Sequence, residues 1–152
     1  MTAPLTLALF EPDIPQNTGT MLRMCACLGL DAALIEPAAF SMNDPRFRRA
    51  AMDYIGRVRL SRHASWRAFL EWRMGVGARL VLLTTRAPLA HIDFAYSSGD
   101  ILLVGRESAG VPDEVHRAAD ARVRVPLEAG LRSLNVAIAA AIVAGEAIRQ
   151  IR

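Results

Sequence analysis

Two short stretches between residues 101 and 136 have the residue types of a ligand-binding edge. The first, Gly105-Arg106-Glu107-Ser108-Ala109-Gly110, follows the apolar run Ile101–Val104. The second, Ser133-Leu134-Asn135, follows Val125-Pro126-Leu127 after a short loop. Glycines in such loops permit positive φ and let the main chain approach a partner closely. Both loops follow apparent strand ends, and parallel α/β sheets bind ligands at the carboxyl ends of their strands. Two such loops, so close in sequence, suggest one ligand held mainly by backbone groups. Other chemistries find less support. His63, His91 and His116 are scattered, and neither Ser108 nor Ser133 sits in a G-x-S-x-G elbow. Cys25 and Cys27 lie two apart on a predicted helix, which is poor spacing for zinc or a disulfide, so no metal is expected.

The elements that position these loops alternate in type. Buried-looking strands are predicted over Leu5–Phe10, Ala32–Glu36, Leu80–Thr84 and Ile101–Val104, with shorter ones at Arg57–Leu60 and Val123–Val125. Helices are predicted over Thr18–Leu28, stopped by Gly29, from Asp44-Pro45, from the N-cap Ser65 to about Met74, and over Pro112–Ala119. A last helix starts at Ser133 or a neighbour and reaches Gln150. The pattern implies one α/β domain over residues 1–152, a mostly parallel sheet with helices on both faces. By residue type alone, Asn17 suits an N-cap before Thr18-Gly19, Asn135 suits the cap of the last helix, and Arg23 reads as a surface arginine.

Composition narrows the class of partner. All 18 basic residues are arginine, and the net charge is +3. Nine arginines fall between Arg46 and Arg79 against two acids, Asp53 and Glu71, a local charge of +7. Arginine makes bidentate phosphate contacts and stacks on bases, so this window is a candidate RNA-binding surface, with Arg46, Arg48 and Arg49 crowded on one short helix. The alternative is a solvated face with ion pairs to Asp44 or Asp53. The longest apolar run, Val136–Gly145, is too short to cross a bilayer, which takes about 20 residues. No signal peptide is evident, and a reduced, cytoplasmic protein with no membrane partner is expected. The last helix is apolar on nearly every face, which predicts burial all round and a homodimer.

Together with Pro15-Gln16-Asn17-Thr18-Gly19 and Arg23, the two loops resemble, in order, the three motifs of the SPOUT superfamily of RNA methyltransferases. Glu11-Pro12, Ile35-Glu36-Pro37, Arg48-Arg49-Ala50, Asp53-Tyr54 and Leu83-Thr84-Thr85 look like the subgroup that methylates the 2′-hydroxyl of the tRNA wobble nucleotide. Arg106, where that subgroup often has proline, is more like the general 2′-O branch; at Ala137 many relatives carry a polar residue.

The resemblance implies a deep trefoil knot from about Leu80 onward, S-adenosyl-L-methionine as cofactor, a homodimer, and tRNA as substrate, with cytidine or a modified uridine in leucine tRNAs as target. Leu83, Gly105, Glu107, Val125, Leu127, Ser133 and Leu134 would surround the cofactor. Asn17, Glu107, Ser133 and Asn135 would serve the reacting atoms, and Arg23 would be catalytic, reaching the partner subunit's cofactor. A guanidinium is a poor base, so its physical role would be to hold an RNA phosphate and orient the hydroxyl. Another tRNA or rRNA ribose, or a non-catalytic RNA-binding module, are the alternatives.

Overall fold

The computed structural model describes residues 3–152. Seven strands form one sheet: β1 (Thr6–Phe10), β2 (Asp31–Ile35), β3 (Leu60–His63), β4 (Leu80–Leu83), β5 (Leu89–Ala90), β6 (Ile101–Val104) and β7 (Ala121–Arg124). Their order is β3-β2-β1-β6-β4-β7-β5, and every pairing is parallel. The carboxyl ends of all strands therefore lie along one edge.

Both faces of the sheet are covered, as the continuous apolar strands require. Successive side chains alternate between faces. Leu7, Leu9, Leu34, Val81 and Leu102 share one core with helices α1 (Pro15–Leu28), α2 (Pro45–Ala51) and α5 (Val136–Ile151). Phe10, Ile35, Leu80, Leu82 and Leu103 share the other with α3 (Trp66–Val76) and α4 (Asp113–Ala118). Gly29 ends α1 with φ 70°, and the Ser65 side chain accepts from Ala68 N–H at 3.1 Å to cap α3.

Several expectations need correction. The strand expected at Arg57–Leu60 lies instead at Leu60–His63, because Met52–Arg57 winds into a 3-10 helix that tucks Val58 into the core. The first helix starts at Pro15, whose fixed φ suits a first turn, so Asn17 is inside the helix and Ile14 is at its N-cap. The last helix, expected from Ser133 or a neighbour, runs from Val136 with Asn135 as its N-cap. Within the single chain, Ile138, 53% exposed, lies with Ala141, Ile142 and Gly145 on an open stripe of this helix. β5 has no counterpart among the expected strands, because two residues carry no periodicity.

Candidate active site

The segments after β1, β4, β6 and β7 at the carboxyl edge border a cavity of about 800 Å³. That is within the usual range for a small-molecule site. Its walls include Asn17, Leu83, Gly105, Glu107, Val125, Leu127, Ser133, Leu134 and Asn135. The structure thus brings the expected cofactor residues into one place, with the three sequence stretches meeting there. Arg23, Arg46, Arg48 and Arg49 are not in these walls.

The loop after β6 is shaped by glycine at both ends. Arg106 and Gly110 form an antiparallel bridge, Arg106 N–H to Gly110 O at 3.0 Å and Gly110 N–H to Arg106 O at 2.8 Å. A Cβ on Gly105 would stand 2.7 Å from the Gly110 carbonyl carbon, and Gly110 itself has φ 63°. Gly105 is therefore required by the loop's own closure, whatever it also offers to a ligand. The Arg106 side chain lies over the Phe10 ring, 5.5 Å from its centroid, and 3.6 Å from Glu11.

Glu107 is tied to the loop after β1. Asp13 N–H donates to Glu107 Oε2 at 3.3 Å, and Glu107 N–H donates to Asp13 Oδ1 at 3.1 Å. Ser108 Oγ–H donates to the other Asp13 oxygen. Burial, together with the Asp13 side chain, raises the Glu107 carboxyl to about 7, while hydrogen bonds from Glu107 and Ser108 hold Asp13 down at about 2. Asp13 was missed in the sequence, since nothing local connects it to a residue so far along the chain.

The two asparagines join the first and third stretches. Asn135 Oδ1 caps α5 by accepting from Ala137 N–H at 2.8 Å and Ile138 N–H at 3.3 Å. Its Nδ2 donates to Asn17 Oδ1 at 3.0 Å. The capping expected of Asn135 is present; that expected of Asn17 is replaced by this bond across the cavity mouth. Thr84, Thr85, Arg86 and Arg124 complete the polar wall. Only the Leu83-Thr84-Thr85 run signalled them in advance.

The basic window resolves into two classes. Six of its nine arginines meet carboxylates: Arg46 with Asp44, Arg59 with Asp31, Arg62 with Glu36, Arg67 with Glu71, Arg73 with Asp120 and Arg79 with Asp100. Among the described residues Arg48, Arg49 and Arg57 form no ion pair; Arg48 donates to Asn43 Oδ1 at 3.0 Å. Arg46 is thus committed to Asp44 through two bonds, at 3.1 and 2.8 Å. The charge of +7 is a property of the sequence window, and the free charge on α2 is that of Arg48 and Arg49.

Comparison with known proteins places these features in a family. Residues 4–145 match the SpoU rRNA Methylase family. A protein of Beijerinckia indica subsp. indica named tRNA (cytidine(34)-2'-O)-methyltransferase is 61% identical over 145 residues, 95% of this chain and 91% of the relative. A solved structure described as giving structural insights into the 2-OH methylation of C/U34 on tRNA superposes with TM-score 0.91 at 39% identity, covering 96% of this chain and 95% of the other. An AdoMet-bound rRNA methyltransferase from Sinorhizobium meliloti gives TM-score 0.90 at 28% identity, covering 100% of this chain and 58% of that one.

Proposed function

This chain belongs to the SpoU rRNA Methylase family, and we propose that it methylates the ribose 2′-hydroxyl of the wobble nucleotide of tRNA. Its target is cytidine or a modified uridine, in leucine tRNAs, and the reaction takes place in the cytoplasm. S-adenosyl-L-methionine is the methyl donor. The observation that carries the reading is the convergence of three separate stretches on one cavity, with Arg48, Arg49 and Arg57, the arginines of the basic window that form no ion pair among the described residues, outside it. The relative at 61% identity supports the substrate.

The cavity suits the donor. Leu83, Val125 and Leu134 offer an apolar slot for adenine, and main-chain groups of the loops after β6 and β7 are available to its edge. When bound, the donor supplies a methyl group on a positively charged sulfur. Glu107 orders the loop that covers this slot through its bonds with Asp13. The Asn135–Asn17 bond holds the first and third stretches together at the cavity, whose walls also include Ser133, on the side assigned to the ribose. Arg23 holds an RNA phosphate so that the hydroxyl is aligned with the methyl group; such alignment supplies much of the acceleration.

Arg23 is outside its own chain's cavity, and the family resemblance implies that it acts on the cavity of a second copy. The exposed stripe Ile138, Ala141, Ile142 and Gly145 on α5, with Ile14 and Leu28 exposed on the α1 helix and its N-cap, is the surface we assign to that homodimer. α1 and α5 touch within one chain, so the two helices can contribute to one interface. The family's trefoil knot belongs to the same reading, and the late strands β6, β4 and β7 lying side by side support it.

The test is methyl transfer to total tRNA followed by nucleoside mapping. Label confined to 2′-O-methylated wobble nucleotides is expected; label at another ribose, or none, overturns the reading. Light scattering is expected to give the dimer mass.

A further inference from the structure

We propose that Tyr54 and Met52 are positioning residues that seat the Arg23 guanidinium. The proposal rests on the reading of Arg23 as the residue that engages the RNA phosphate. Arg23 is exposed on α1 and has no carboxylate partner among the described residues. A long side chain so placed would ordinarily sample many rotamers. Here its Cζ lies 4.9 Å from the centroid of the Tyr54 ring, and its Nη1 lies 3.0 Å from the Met52 sulfur. A ring face attracts a guanidinium through its quadrupole, and a thioether is a weak acceptor. Neither neutralises the charge, so the guanidinium is held in place and remains able to take a phosphate.

The seat is built by the packing of α1 on α2. A Cβ on Gly19 would lie 2.6 Å from Phe47 O, 2.7 Å from Ala50 Cβ and 2.8 Å from Ala51 N. This close approach fixes the end of α2 against α1, one turn before Arg23. Immediately afterwards Met52 takes φ 56° and ψ −146°, a strained conformation for a residue with a side chain. It is also 52% exposed, so no core packing calls for a methionine there. The turn sends the chain back along α1 and delivers Tyr54 to the guanidinium.

The experiment compares Tyr54→Phe, Tyr54→Leu, Met52→Gly and Arg23→Ala in the full-length protein, with kcat and KM for tRNA, donor affinity and Tm measured for each. Tyr54→Phe keeps the ring face and should keep kcat. Tyr54→Leu should lower kcat by about tenfold to a hundredfold, the range expected for a misplaced catalytic group, with donor affinity unchanged and tRNA binding weakened no more than by Arg23→Ala. Met52→Gly relieves the backbone and should leave Tm unchanged or higher while kcat falls, a split that a merely structural role would not produce. If Arg23→Ala is inactive but Tyr54→Leu turns over normally, the seat is refuted while the role of Arg23 stands. If Tyr54→Leu weakens tRNA binding as much in the Arg23→Ala background as in the unaltered chain, the ring touches RNA and the seat is refuted. If Arg23→Ala retains near-normal turnover, the reading of Arg23 falls and the proposal falls with it.

Discussion

The cavity edge and the α1–α2 face solve different problems with different materials. At the cavity the shape comes mostly from main chain: the Arg106–Gly110 bridge, the Gly105 contact and the start of α5 capped by Asn135. On the α1–α2 face the main chain only sets a platform, and exposed side chains do the rest, with Arg48 and Arg49 unpaired and Arg23 over Tyr54. A backbone site tolerates many side chains but few changes of chain path. A side-chain site tolerates drift of the backbone but not loss of its charges.

The largest effect that would sharpen this contrast is Arg23→Ala. Methylation should be abolished, while calorimetry should find donor affinity nearly unchanged, because Arg23 is not in the wall of its own chain's cavity and is assigned to the RNA phosphate rather than to the donor. Loss of donor binding would erase the division. Next in size is Gly105→Ala, the mirror experiment. Its methyl group would meet the Gly110 backbone at 2.7 Å, so donor affinity should drop by more than about tenfold. Binding of tRNA in filter assays should be little affected.

A smaller effect is expected for Arg48→Gln with Arg49→Gln. Binding of tRNA should weaken, and the slope of log affinity against log salt should flatten by about 1.5, since each lost phosphate contact releases fewer counterions. Arg46→Gln should do less, because its charge is already held by Asp44. The smallest effect lies in pH. Glu107 is raised to about 7 from an ordinary 4.5, so its contribution to stability is present when protonated and is lost as pH rises through about 7. Asp13 acts at the other end, its contribution being lost as pH falls below 3.8 toward about 2. Glu107→Gln should therefore flatten the decline of Tm between about pH 5 and 7.

The same division explains what was legible in the sequence. β1, β4 and β6 announce themselves as apolar runs, and the loops after β6 and before α5 carry local glycine and asparagine signals. Contacts between distant segments were not legible. Glu107 with Asp13, Arg73 with Asp120 and Arg59 with Asp31 are joined only by the sheet order, so a window charge overstated the free arginines. Asp53-Tyr54 was visible as a pair of residues, but its relation to Arg23 depends on the Gly19 contact and the turn at Met52.

The position of β6 bears on how the molecule comes together in time. Thr6 pairs with Ile101 and Leu9 with Val104, so the central seam of the sheet joins the beginning of the chain to its last third. Pairings this remote in sequence slow folding. During synthesis β1, β2 and β3 can associate first, leaving one edge of β1 unpaired and apolar until Ile101–Val104 emerges from the ribosome. Such an edge is a template for wrong partners. The strand that closes it also delivers Gly105 and Glu107, so the nascent chain loses its sticky edge in the same event that first gives it one wall of its cavity.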